Sequence, residues 1–217
     1  KVSLAYSIMP FIDRIANEVK RLLKSKDSKE VRDERFSYVA ELTDRINDYN
    51  DVLTRWIQMR QGDINLRVES FPLQELFDMV KRGRMGFQLK GIDLQVEDTN
   101  DVVKADKTLT LFMINTMADN ARKFTPEGGR VTITSKATDE YVEVGIADTG
   151  VGLTEEQKEM VFSHQPSAGH GFGLMNCKGI IEKYRKTSKR FQVCSIGVES
   201  EQGKGSRFFF RLPLGRT

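Results

Sequence analysis

Cysteine is nearly missing from this sequence: Cys177 and Cys194 are the two present in 217 residues. Two thiols build no disulfide framework, and reduced thiols are the expectation. Histidine is as scarce. His164 and His170 have no Cys or His partner at zinc-like spacing, which argues against a metal site. Long apolar runs are also missing, and none approaches the roughly 20 residues that cross a membrane. There is no excess of one charge: 34 Lys and Arg stand against 31 Asp and Glu, and a net +3 is too small to argue for nucleic acid. No signal peptide is visible. The chain opens on Lys1 rather than Met, as expected of a piece of a longer protein. What remains is 30% charged and 39% hydrophobic, the composition of a soluble globular protein with one large domain or two small ones.

The first 61 residues read as helix. Leu4, Ile8, Phe11, Ile15, Val19 and Leu22 recur at gaps of three and four and form one apolar stripe. Polar residues from Lys24 to Lys29 mark a turn. A second stripe follows through Val39, Leu42, Ile46, Tyr49, Leu53 and Trp56. Two such seams exceed what one hairpin can bury. A homodimer through residues 1–61, pairing two hairpins as a four-helix bundle, is the expectation. A monomeric hairpin lying on the rest of the chain is the alternative.

Gln61-Gly62-Asp63 breaks the pattern, so the boundary falls between a helical hairpin, 1–61, and a second domain, 62–217. Strands are expected at Asn65 to Phe71, around Ile92 to Val96, at Arg130 to Lys136 and at Tyr141 to Ala147. Two more are expected near Arg190 to Glu199 and Ser206 to Leu212. Helices are expected from Pro72 to about Phe87, from Lys107 to about Phe124 with Asp106 as cap, and near Gly173 to Lys186. Strands and helices interleave without a repeated βαβ unit, which predicts a layered α+β sandwich.

Four segments carry candidate chemistry. Thr116, Asn120 and Lys123 share one helix face, where an amide and an ammonium suit a hydrated magnesium and a polyphosphate. Asp148-Thr149-Gly150-Val151-Gly152-Leu153 follows a strand. Its carboxylate can accept from an exocyclic amine while the glycines let backbone approach a ligand. Gly169-His170-Gly171-Phe172-Gly173-Leu174 opens a helix and offers N–H groups to phosphate. Gly203-Lys204-Gly205-Ser206 precedes a strand. Each alone is also compatible with an ordinary turn or a solvated face.

In this order and spacing, with Asn120-Ala121-Arg122-Lys123-Phe124-Thr125-Pro126 as the first, the four segments resemble the nucleotide boxes of sensor histidine kinases. Gln58 to Asp63 resembles that family's link between dimerisation helix and ATP domain, and Pro72-Leu73 and Lys104-Ala105-Asp106 also fall where the family has similar residues. The resemblance spans nearly the whole chain. It implies a Bergerat-type ATP-binding fold, a mixed sheet with helices on one face. It further implies ATP and Mg²⁺ as cofactors. Asn120 would hold the metal, Lys123 would touch phosphate, and Asp148 would read the adenine amine. Gly150 and Gly152 would line the base pocket, with Ser206 nearby. Gly169, Gly171, Gly173 and Leu174 would form the phosphate side, and Thr154 to Ala168 would be a mobile lid. A receiver domain of a response regulator would be the partner. The location would be cytoplasmic, with any membrane anchor upstream.

Several positions depart from that pattern. Aligned on Pro10, the family's acceptor histidine and its acidic neighbour fall on Ala5 and Tyr6, and the first histidine of the chain is His164. The nucleophile and its proton acceptor are both absent from that helix. Thr116 stands where the family usually has a second Asn and related ATPases have a Glu base, which argues against fast hydrolysis. Asp119 turns off the face of Thr116, Asn120 and Lys123. The expected lid has one cation, Lys158. The stretch from Glu182 to Ser200 is longer than usual and carries a basic segment, Lys186 to Arg190. Three functions follow: a histidine kinase core, a nucleotide-binding pseudokinase that scaffolds a partner, or a serine kinase or ATPase of the same fold. The helical hairpin disfavours the third.

Overall fold

The two apolar stripes become two helices, α1 (Val2–Lys24) and α2 (Lys29–Arg60). The computed structural model describes residues 2–24, 26–60, 66–162 and 172–215. Ser28 starts α2: its carbonyl accepts from Arg32 N at 3.1 Å and its hydroxyl from Val31 N at 3.4 Å. Leu22, Tyr38 and Leu42 are buried between the helices. Glu18 is buried beside them and accepts from Arg35 at 2.7 Å and Arg21 at 3.3 Å. One hairpin leaves apolar surface open: Val19, on the expected stripe, is 40% exposed, and Ile12 and Phe36, outside the stripes, are 45% and 55% exposed. Ala5 and Tyr6 lie on α1, in a stretch whose side chains are outside the described residues.

The chain divides into two units, Lys1–Asn65 and Leu66–Thr217. The boundary expected between 61 and 62 falls in residues 61–65, outside the described residues. In the second unit β1 (Val68–Pro72) pairs antiparallel with β3 (Val102–Asp106). The main sheet has the order β2-β4-β5-β7-β6. There β2 (Asp93–Val96) runs parallel to β4 (Arg130–Ala137). The strands β5 (Tyr141–Asp148), β7 (Gly205–Pro213) and β6 (Ser195–Glu201) continue antiparallel.

Alternation decides the layers. Val131, Ile133, Val142, Val144, Ile146, Phe210 and Leu212 point to one face and are fully buried. On the other face Glu143 bridges Arg207 at 2.5 Å and Arg211 at 2.8 Å. Helices α5 (Lys107–Phe124) and α7 (Phe172–Arg185) cover the apolar face with Leu109, Met113, Met117, Leu174 and Ile180. This is the expected α+β sandwich of a mixed sheet with helices on one side. Among the described residues no helix is long and apolar enough to cross a membrane.

Three elements differ from expectation. The helix expected to reach Phe87 stops as α3 (Leu73–Arg82) with Gly83 as its C-cap; α4 (Met85–Gln88) is separate. Pro72 ends β1 at φ −69 and caps α3 instead of entering it. The expected strand from Arg190 begins only at Ser195. Lys189–Val193 forms a 3₁₀ turn that lays Phe191 on Tyr184, ring centroids 5.3 Å apart. Strand β3 was not expected, since its five residues alternate over too short a run and its pairing partner lies far back in the chain.

Candidate nucleotide-binding site

The site begins with how α5 is held at both ends. At its start Asp106 caps the helix, accepting from Leu109 N at 3.2 Å and Arg67 N at 3.1 Å. The Asp106 N–H donates to the Tyr184 hydroxyl oxygen at 2.6 Å, which ties α5 to the far end of α7. At the other end the last carbonyls of a helix need partners from elsewhere. Thr125 covers Ala121 O, Lys90 Nζ donates to Arg122 O at 2.6 Å and Lys123 O at 2.9 Å, and Val151 N reaches Phe124 O at 3.4 Å. The turn carrying Asn120 and Lys123 is thereby fixed by contacts from β2's approach and from the loop after β5.

That loop and the hairpin from β6 to β7 are built against each other. Asp148 and Ser206 are register partners on β5 and β7. Gly205, at φ +107, brings its Cα so close that a β-carbon would lie 2.0 Å from Asp148 O. Gly152, at φ +68, would likewise meet Glu201 O at 2.1 Å. Gly203 N donates to Val151 O at 2.7 Å, and Ser200 Oγ accepts from Leu153 N at 2.8 Å and lies 2.9 Å from Ser206 Oγ. Two glycine motifs far apart in sequence thus form one wall.

Asp148 stands at this wall, 9% exposed, with Oδ1 accepting from Gly150 N at 2.8 Å. Burial pushes its carboxyl above the ordinary aspartate value, partly offset by the backbone N–H groups of Gly150 and Ser206. The cleft it lines encloses about 410 Å³, part of it open solvent. Asn120, Phe124, Val151, Gly152, Leu153, Gln157, Ser206 and Phe208 complete its lining. An apolar slot with a few convergent polar groups suits a planar heteroaromatic ligand.

Of the expected site residues, Asn120, Asp148, Gly152 and Ser206 line this one cleft, and Gly150 bonds Asp148. Lys123 is exposed at the end of the same helix, its Nζ 5.2 Å from the Phe124 ring centroid. Gly173 lies against α5 and Leu174 is fully buried below it. Gly169, Gly171, His164 and His170 lie outside the described residues. Thr116 turns away from the cleft: it is 4% exposed and hydrogen bonds the Cys177 thiol, which burial pushes up to about 12. Asp119 is held 3.6 Å from Arg122. The expected lid starts as ordered structure. Thr154 and Gln157 form a capping box for α6 (Glu155–Met160), Val161 is buried, and Phe162 meets Phe208 edge-on at 6.2 Å. Its remainder, 163–168, is outside the described residues. Sequence reasoning missed Lys90, Phe208 and Gln157; only Gln157 left a signal, the capping-box spacing from Thr154.

A family model described as histidine kinase-, DNA gyrase B- and HSP90-like ATPase matches residues 105–216. The chain belongs to that family. It is an ATP-binding domain of the sensor-histidine-kinase kind, joined to helices at its N-terminal side. Over 149 residues it is 35% identical to the adaptive-response sensory kinase SasA of Rippkaea orientalis, covering 64% of this chain and 36% of that protein. The SasA of Crocosphaera subtropica is 37% identical over 122 residues, covering 52% of this chain and 30% of the relative. The chain therefore spans about a third of the curated relatives it matches. Among solved structures, the catalytic domain of histidine kinase ThkA is 28% identical with a TM-score of 0.59, covering 68% of this chain and 98% of that one. Full-length ShkA in complex with AMPPNP is 25% identical with a TM-score of 0.65, covering 99% of this chain and 46% of its own.

Proposed function

We propose that this chain is the nucleotide-binding core of a two-component sensor histidine kinase, that it binds ATP with Mg²⁺, and that its own helices carry no phosphoacceptor. The observation that carries the reading is that the buried Asp148 and Asn120 line one partly apolar cleft. Asp148 accepts from the adenine 6-amine, with Gly150 and Gly152 beside the ring and Ser206 near it. Asn120 would hold Mg²⁺ through its amide oxygen, an oxygen ligand of the kind that ion takes. Lys123 contacts phosphate as a point charge, and Gly169, Gly171, Gly173 and Leu174 are the residues assigned to the phosphate side. When bound, the metal would supply charge neutralisation for the phosphates.

In the kinase reading the γ-phosphate goes to a histidine and then to a receiver-domain aspartate of a response regulator. Ala5 and Tyr6, at the expected acceptor and acid positions, favour the second reading of a nucleotide-binding pseudokinase that regulates a partner. Both readings use a homodimer through residues 1–61, supported by the exposed Ile12, Val19 and Phe36, and both place the chain in the cytoplasm. ThkA has been solved in complex with the response regulator TrrA, and a receiver domain is the partner to try first.

Calorimetry with ATP and Mg²⁺ tests the cleft, and unchanged affinity in Asp148→Asn rejects it. Incubation with γ-labelled ATP separates the two readings. Acid-labile, base-stable label on the chain restores the kinase reading, while nucleotide binding without label supports the pseudokinase.

A further inference from the structure

The start of α7 and the middle of α5 meet at Thr116. A β-carbon on Gly173 would lie 2.7 Å from Thr116 Cγ2, closer than real carbon contacts allow. One turn along α7, the fully buried Cys177 hydrogen bonds the same threonine. Gly173 and Cys177 are four residues apart and share a helix face, so Thr116 is a knob seated between them. Its methyl sits under Gly173 and its hydroxyl meets the thiol. The Asn that the resemblance expects at 116 reaches one bond further than Thr and presses on the same contact.

We propose that Thr116 is a positioning residue for the phosphate end of the nucleotide site. The proposal rests on the nucleotide reading of the cleft. Thr116 lies one turn before Asn120 on α5, and Gly173 is in the first turn of α7. Holding the two together sets the spacing between the N–H groups that open α7 and the turn carrying Asn120 and Lys123. The base end is fixed separately, by Gly150 N on Asp148 and by the Asp148–Ser206 register. A triphosphate therefore feels the Thr116–Gly173 contact and adenosine does not.

The test compares MgATP and adenosine binding to the full chain and its variants. Gly173→Ala weakens MgATP about tenfold, the size of one lost hydrogen bond to a charged group, and adenosine less than about twofold. Alanine is the better helix former, so a loss reports the contact and not the helix. Thr116→Ser removes Cγ2 and keeps the hydroxyl, so the double variant Thr116→Ser, Gly173→Ala recovers most of the MgATP affinity. Should Gly173→Ala fold poorly, Thr116→Asn presses on the same contact from α5 and shows the same selective loss. Equal weakening of both ligands, wild-type MgATP affinity in Gly173→Ala and Thr116→Asn, or no recovery in the double variant overturns the proposal. If the wild-type chain binds neither ligand, or Asp148→Asn binds both normally, the nucleotide reading itself falls and takes this one with it.

Discussion

The hairpin and the α/β unit close their apolar surfaces to different degrees. In the α/β unit Leu73, Phe77, Met113, Ile114, Val144 and Phe210 are sealed from solvent. In the hairpin Val19, on the predicted seam, stays 40% exposed, and Ile12 and Phe36 are more open still. A sheet covered by helices on one face can bury both layers within one chain. Two helices leave a groove that only further helices fill. The same contrast holds for chemistry. The α/β unit brings Asn120, Asp148, Gly152 and Ser206 together in one cleft, whereas the helix expected to accept phosphate carries Ala5 and Tyr6.

The largest expected effect breaks the contrast from the hairpin side. Val19→Asp puts a charge into both copies of the proposed seam, where each buried Val is worth about 1.5–3 kcal/mol. The dimer constant should weaken by at least about a hundredfold in light scattering, with ATP affinity unchanged. Asp148→Asn acts on the other side. Loss of a charged hydrogen bond, about 1.5–3 kcal/mol, should weaken ATP by roughly 10- to 150-fold in calorimetry without altering the dimer.

The same substitution has a stability arm. Burial raises the Asp148 pKa in the folded unit, so its ionisation opposes folding. The stability tied to its protonated form is full below the unfolded value of about 3.9 and is lost as pH rises through the folded value. Asp148→Asn should therefore melt at or above the wild-type temperature at pH 7, and this advantage should shrink toward pH 4. A lower melting temperature at pH 7 contradicts the sign.

Tyr184→Phe leaves the buried Asp106 N–H without its acceptor and should destabilise the α/β unit by about 1–3 kcal/mol in urea unfolding, sparing the hairpin. Lys90→Met should be smallest. It removes the cation from Arg122 O and Lys123 O, with an expected loss of about 1 kcal/mol and a few-fold weaker ATP binding, and Lys90→Arg should retain part of both.

Legibility in the sequence followed locality. Helix α5 spans Lys107–Phe124 with Asp106 as its cap, as its period and capping residue foretold, because both signals lie within the helix and its first turn. The strands β4, β5 and β7 were legible from alternation. Strand β3 was not, since its pairing with β1 bridges more than thirty residues. The start of β6 was misplaced because Lys189–Val193 forms a 3₁₀ turn that stacks Phe191 on the buried Tyr184, a contact with another element that no local pattern shows. In the cleft, Asn120, Asp148 and the glycines announced themselves by type and spacing, while Phe208 and Lys90 read as an ordinary strand residue and a surface cation.

Periodicity, caps and glycine spacing in the chain alone determined two helices followed by an α+β sandwich, and singled out motifs that supply part of the cleft lining. Folding decided which of those motifs meet. Asp148 comes up beside Ser206 and in one cleft with Asn120, Lys90 closes the end of α5, and Thr116 faces α7 instead of the cleft. These contacts join segments tens of residues apart. Their geometry is set by the sheet register and by how α7 packs on α5, and no local pattern encodes either.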